Sequence, residues 1–343
     1  MTVAATHVAW LESLSPWPQD GFGTERMRAL LARLGNPERS FDAVHVVGTK
    51  GKSTAARRIA ATIGGLAYTS PHVSGWHERL QTDPEGFERA LERVRDAAEA
   101  MDATQFETLT AAAFADFAAR GMTAVAVEAG LGGRHDATNV IDARVVLLTN
   151  VGLEHTEVLG GTREEIAAEK LAVARPDAIV VLPDEEFAHL VPGRAIRIGG
   201  PREAASAFAG REVELAEASL PGRFEVRDGE IRDGAHTPEA VDWLLERLPP
   251  PHDYTVVASV LRDKDAAAIL ERLARAGRSF VATRSTNPRA LAAEDLARLA
   301  RPWFDRVETV DDPRPAVDRA RALGRPVLVT GSLYLLADLS QDE

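Results

Sequence analysis

The chain has 343 residues, 45% hydrophobic and 27% charged; that length fits two domains at roughly 150 residues each, and the composition excludes disorder. A formal charge of −12 excludes a protein that coats nucleic acid by neutralising phosphates, so an anionic ligand must be met by local basic residues. No cysteine is present, which removes disulfides, thiolate metal sites and a cysteine nucleophile, and no apolar run approaches the ~20 residues of a membrane span, so a cytoplasmic protein is expected.

Along the chain, β-rich runs alternate with helix-period segments, the pattern of βαβ units and parallel sheets. The first strand is expected at 42–47. Phe87, Leu91, Val94, Ala98 and Met101 recur at spacings of four and three, which predicts an amphipathic helix over 84–101. A helix over 104–119 stops before Gly121, and strands follow at 123–128, 144–149 and 178–182. Thr162 with Glu165 three residues on forms a capping box, starting a helix at Arg163 with Lys170 about two turns inside it. Residues 183–221 are rich in Gly, Pro and Ala with weak periodicity, so the domain boundary is expected near 215, between domains of 1–215 and 216–343. The second half repeats the alternation, with strands at 254–260, 279–283, 306–310 and 326–330 and helices at 264–276, near 292–299 and at 313–323. The first 20 residues carry no readable pattern.

Several segments carry candidate chemistry. In "VHVVGTKGKST" (44–54) a β-branched run breaks into a glycine loop, although Val46 stands where the full phosphate-loop pattern wants glycine. Gly48 and Gly51 let backbone N–H groups curl around an anion, Lys52 supplies a point charge, Ser53 or Thr54 can hold Mg²⁺, and the following helix aims its N-terminus at the same place. Further basic candidates in this half are Lys50, Arg57, Arg58, Arg79, Arg134 and Lys170. Glu128 closes a buried strand before a Gly-rich turn, at the edge where open α/β sheets bind ligands. It reads as a Mg²⁺ ligand or as a solvated strand-end acid. His155 follows another strand end; taken alone, a loop His is more often a surface residue than a ligand, and Lys170 reads first as a solvated helix charge. Thr237 and Pro238 make an N-cap and N1 pair, leaving Asp233 and His236 in the loop that feeds that helix. The expected fold class is α/β: an N-terminal P-loop domain with a mostly parallel sheet and a smaller C-terminal Rossmann-like domain.

Taken in order, "GTERMRALLARLGNP", "HVVGTKGKST", "YTSPHVSGWHERL", "FETLTAAAF", "VEAGLGGRHDATNV", "TNVGLEHTEVLGGTREEIAAEK", "LPGRFE", "DGAHTPEA", "DKD" and "LVTGSLYL" resemble the folylpolyglutamate synthase/dihydrofolate synthase family of the Mur ligase superfamily. The resemblance implies an ADP-forming ligase. ATP phosphorylates the carboxylate of dihydropteroate or of a reduced folate, and the amine of L-glutamate attacks the acyl phosphate. It also implies ATP contacts from Gly48, Thr49, Lys50, Gly51, Lys52, Ser53 and Thr54, with Arg223 and Asp233. By the same resemblance Ser53, Ser70, Glu128 and His155 are Mg²⁺ ligands for two ions, a monovalent cation is a further candidate, and Lys170 is carbamylated to become an anionic ligand. Pterin-side contacts fall to Gly23, Thr24, Glu25, Arg26, Phe106, Glu107, Thr110, Asp136 and Ala137. His236 and Ser332 face the incoming glutamate, and the catalytic set is Lys52, Glu128, His155, Lys170 and His236. A monomer without nucleic-acid or membrane partners is the expectation.

Three departures stand out. The family commonly has "GKGS" where this chain has "GKST", as the cell-wall Mur ligases do; "DGAHTP" replaces "DGAHNP"; and His135 takes the place of an apolar residue. Two alternatives follow: a Mur-type ligase acting on another acid and amino acid, and a nucleotide-binding regulatory module that has lost catalysis.

Overall fold

The computed structural model describes residues 6–18, 21–227, 229–250 and 252–340. It separates into two compact units, Met1–His72 with Trp76–Ala218, and Val73–Gly75 with Ser219–Glu343.

The first unit begins with α1 (His7–Ser13), whose N-cap Thr6 accepts from the Ala9 N–H, and α2 (Glu25–Arg33). Then come β1 (Asp42–Val47), α3 (Lys52–Ile63), β2 (Leu66–Tyr68), α4 (Pro84–Ala100) and α5 (Gln105–Ala119). β3 (Ala124–Glu128), β4 (Val145–Leu148), the single turn α6 (Thr156–Leu159), α7 (Arg163–Leu171), β5 (Ile179–Leu182), β6 (Ala195–Ile198) and α8 (Pro201–Ala209) complete it. The strands form one parallel sheet in the order β2-β3-β1-β4-β5-β6.

Alternation along β1 explains the layering, because successive side chains of a strand point to opposite faces. Val44 and Val46 pack with Ala55, Ala56 and Ile59 of α3 and Ala204 and Ala207 of α8. Ala43 and Val47 belong to the core on the other face, with Phe87, Leu91 and Val94 of α4 and Leu109, Phe114 and Phe117 of α5. The capping box expected at Thr162 and Glu165 forms, and Thr104 with Glu107 makes a second one that starts α5.

The second unit contains β7 (Glu225–Arg227), β8 (Glu230–Arg232), α9 (Pro238–Leu245), β9 (Thr255–Ala258), α10 (Ala266–Leu273) and β10 (Ser279–Ala282). After these come α11 (Ala293–Ala300), β11 (Arg306–Thr309), α12 (Pro313–Leu323), β12 (Val327–Thr330) and α13 (Leu333–Ser340). The sheet order is β11-β10-β9-β12-β8-β7, parallel except for the antiparallel β7–β8 pair. Side chains of α9, α10 and α11 fill one core, and those of α12 and α13 another. Both units are thus helix-covered α/β sheets. Among the described residues no helix is long and apolar enough to cross a membrane.

Candidate active site

Four parallel strands of the first unit deliver their C-terminal ends to one edge of the sheet. Val46 pairs with Glu128, Val47 with Leu148 and Tyr68 with Val127, so the loops at Gly48, Ser70, Ala129 and Thr149 leave side by side.

The loop after β1 turns sharply: Gly48 has φ 143° and Gly51, the N-cap of α3, has φ 77°. Both are conformations that side chains disfavour. The loop is braced from β4. The Thr49 N–H donates to the Asn150 carbonyl at 3.1 Å, the Lys50 N–H to Asn150 Oδ1 at 2.9 Å, and Thr149 Oγ1 to the Lys50 carbonyl at 2.7 Å. The N–H groups of Thr49 and Lys50, expected on the nucleotide, are therefore spent on Asn150. An anion is left the first-turn N–H groups of Lys52, Ser53 and Thr54, which have no partners inside the helix. Lys52 Nζ donates to the Thr49 carbonyl at 3.2 Å, folded back over the loop.

Ser53 and Glu128 meet beneath the loop. Ser53 Oγ donates to Glu128 Oε1 at 3.0 Å, while Glu128 Oε2 accepts from the Ser70 N–H at 2.8 Å. Ser70 thus meets the carboxylate through its main chain; its hydroxyl makes no hydrogen bond among the described residues. A hydroxyl and a carboxylate beside an anion cradle are oxygen donors suited to a hard divalent cation that takes its remaining ligands from phosphates and water. Among the described residues no three His, Asp or Glu side chains converge as a self-sufficient metal cage. His155 is exposed and, at φ 48°, is the N-cap of α6.

Lys170 is 2% exposed on α7, and its Nζ donates to the Gly48 carbonyl at 2.9 Å and pairs with Glu154 Oε1 at 3.3 Å. Burial, then the charge of Lys52, holds this ammonium below its ordinary pKa, with Glu154 acting in the opposite sense. Glu154, Thr149 and Asn150 are site residues that sequence reasoning missed. Thr149 and Asn150 lie one and two residues beyond the end of β4, and Glu154 immediately precedes His155; that placement was the available signal.

The expected pterin-side residues gather on α2, α5 and the loop after β3, but two of their carboxylates have other tasks. Glu107 pairs with Arg26 at 3.0 Å and accepts from the Thr104 N–H at 2.8 Å, so it joins α5 to α2. Asp136, buried and pushed up in pKa by burial, accepts from the N–H groups of Gly130, Leu131 and Thr138 and thereby holds the loop closed. Phe106 lies against Gly130, where an added Cβ would meet its ring at 2.5 Å, and Thr110 Oγ1 bonds to Tyr68 Oη at 3.1 Å. These residues shape the surface; Ala137 is buried, and Gly23, Thr24 and Arg26 are half-buried at the start of α2.

In the second unit, Asp233 is 6% exposed and accepts from the N–H groups of Phe224 and Ala235 at 2.8 Å each, beside the Arg223 guanidinium. Burial pushes its carboxyl up in pKa, and the backbone N–H groups and Arg223 oppose the shift. His236 Nδ1–H donates to the Gly234 carbonyl at 2.7 Å, and the Ser332 hydroxyl accepts from the Tyr334 N–H at 3.1 Å.

A phosphate cradle with an adjoining hydroxyl and carboxylate, followed by a separate α/β unit, defines an ATP-dependent ligase of the Mur type. Residues 46–216 match the Mur ligase middle domain and residues 222–333 the Mur ligase, glutamate ligase domain. The chain is 30% identical to the dihydrofolate synthase/folylpolyglutamate synthase of Mycobacterium tuberculosis, over 90% of this chain and 84% of that one. With the Bacillus subtilis protein of the same name it shares 28% identity over 92% and 94%. Its structure resembles Escherichia coli FolC in complex with DHPP and ADP, with a TM-score of 0.82, 27% identity and coverage of 98% and 97%. A Yersinia pestis bifunctional folylpolyglutamate synthase/dihydrofolate synthase complexed with AMPPNP and Mn ion matches at a TM-score of 0.81, 26% identity and coverage of 99% and 98%. The chain belongs to the folylpolyglutamate synthase/dihydrofolate synthase family.

Proposed function

We propose that this protein joins L-glutamate to the carboxylate of a dihydropteroate or a reduced folate, cleaving ATP to ADP and phosphate. The observation that carries this reading is the junction of phosphate loop, Ser53 and Glu128, with the buried Lys170 docked on the Gly48 carbonyl. A carboxylate oxygen of the acid attacks the γ-phosphorus and ADP departs. The glutamate nitrogen then attacks the acyl carbon and phosphate departs, its proton passing to a nearby base.

The first-turn N–H groups of α3 and Lys52 hold the outer phosphates while charge moves onto ADP. Ser53 and Glu128 are the residues that would hold Mg²⁺, with Ser70 and His155 as further candidates. When bound, two such ions neutralise charge between phosphate and carboxylate. A buried amine of lowered pKa is more readily present in the neutral form that adds CO2. Carbamylation would thus replace the Lys170 cation beside Lys52 with an anionic metal ligand. Arg223 and Asp233 are the proposed nucleotide contacts of the second unit, and His236 and Ser332 its glutamate contacts.

The test is ADP release with dihydropteroate or tetrahydrofolate, each with and without glutamate. Rapid release is expected only with an acid and glutamate together; equal turnover without any acid would sink the proposal. The internal engagement of Glu107 and Asp136 leaves a second reading, a Mur-type ligase for a different acid, and a panel of acids in the same assay separates the two.

A further inference from the structure

At the end of the first unit's sheet opposite the phosphate loop, α4 and α5 enclose a groove of about 430 Å³ lined by Arg89, Arg93, Arg120, Asp83 and Asp116, among others. Arg120 is the C-cap of α5 and precedes β3, whereas Glu128 closes that strand. Five residues of strand, on the order of 15 Å, therefore separate the groove from the cradle.

The guanidiniums are poorly spent. Asp116, 6% exposed, is shared by Arg93 at 3.6 Å and Arg120 at 3.2 Å, each through one nitrogen. Arg120 makes one more hydrogen bond, from the same Nη1 to the Gln81 carbonyl at 3.3 Å. Arg89 reaches only Glu85, at 3.8 Å, and neither the Arg89 nor the Arg93 guanidinium makes a hydrogen bond among the described residues. Asp83 is committed to the Gly86 N–H as the cap of α4. Arg89 and Arg93 lie one helical turn apart, where like charges repel unless an anion lies between them. Three guanidinium forks line this groove, two of them sharing a single carboxylate, and they match the planar or tetrahedral oxygens of carboxylates and phosphates, which guanidinium binds in bidentate fashion.

We propose that Arg89, Arg93 and Arg120 form a second anion-binding site, remote from the phosphate loop, for a small ligand bearing carboxylate or phosphate groups. Calorimetric titrations of the full chain at low ionic strength, with ADP saturating the cradle, test it with citrate as the polycarboxylate and pyrophosphate as the phosphate probe. Binding of at least one probe is expected, weakening with added salt and falling roughly tenfold or more in Arg89→Ala/Arg93→Ala. The preferred probe identifies the ligand's chemistry. Both side chains are about half exposed, so the variant should keep its melting temperature and its basal ADP release. Arg89→Gln alone, should the double variant misfold, is expected to weaken binding measurably. Failure of both probes to bind, or equal binding by parent and variants, overturns the proposal. The parent-to-variant comparison decides this whether or not ADP occupies the cradle.

Discussion

The Lys170 ammonium lies between the Gly48 carbonyl and Glu154, with Lys52 raising the positive charge nearby. Under the proposed mechanism, Lys170→Ala removes a group that a nucleotide need not touch but that would serve the transfer step as a metal ligand once carbamylated. ADP release is expected to fall about 100-fold or more while ADP affinity stays within about threefold. Calorimetry and the coupled ADP assay read the two effects separately, and full activity would discard the carbamate. His45 is a different case, fully buried in β1 with Nε2 on Thr138 Oγ1 at 2.8 Å and Nδ1 without a partner among the described residues. Burial, reinforced by Arg175, lowers its pKa from 6.5 to about 3. Between those values only the unfolded chain takes up the proton, so stability is lost as pH falls through this window and is untouched above it. In urea unfolding at pH 7, 6 and 5, the parent should lose up to about 1.4 kcal/mol per pH unit more than His45→Gln. Parallel losses in the two proteins would refute this.

The unit β1–loop–α3 was legible in the sequence because its signals are local: a β-branched run, glycines and a helix start. Its tolerance is not local. A Cβ on Gly48 would meet Thr149 Oγ1 at 2.0 Å and the Thr149 N–H nitrogen at 3.1 Å, at a φ of 143°. Gly48→Ala should therefore cost on the order of 1–3 kcal/mol and weaken ADP binding about tenfold or more, measured by thermal unfolding and ADP titration. Unchanged affinity would mean that the loop's shape does not set nucleotide binding. Elements that escaped the sequence reading lacked such signals. β6 is exposed at all four positions, so no burial alternation marks it. α8, which meets the sheet and α3 through Ala204 and Ala207, is a short helix inside the Gly-, Pro- and Ala-rich stretch that reads as a domain junction. β8 reads as polar, yet it is buried because Glu230 pairs with Arg232 and with Arg321. At the site, Glu128 and Ser53 could be read from their strand end and loop. The pairing of Glu107 with Arg26 could not, because that partner lies 81 residues away and is fixed only by tertiary packing, and the N–H groups that close on Asp136 belong to its own irregular loop, whose shape no periodicity marks.

At the scale of the whole chain, the alignment with the Bacillus subtilis relative runs over 406 positions, more than this chain's 343 residues, so that relative carries segments absent here. What remains still builds separate cores for the two units. Phe114, fully buried, packs edge-on to Phe41 at 5.8 Å in the first unit. Phe280, also fully buried, lies 4.8 Å from Phe304 in the second. Truncating either ring leaves a cavity its neighbours fill only in part, at about 3–5 kcal/mol. Phe114→Ala should therefore lower the unfolding midpoint of the first unit and Phe280→Ala that of the second. Fluorine-labelled tryptophan reports on both: Trp10, Trp17 and Trp76 belong to the first unit, Trp243 and Trp303 to the second. In a urea titration followed by fluorine NMR, each variant should shift the transition of its own tryptophans by more than that of the others. Five resonances moving together in both variants would show that the cores melt as one, and the remote groove at Arg89 and Arg93 would then share its stability with the second unit.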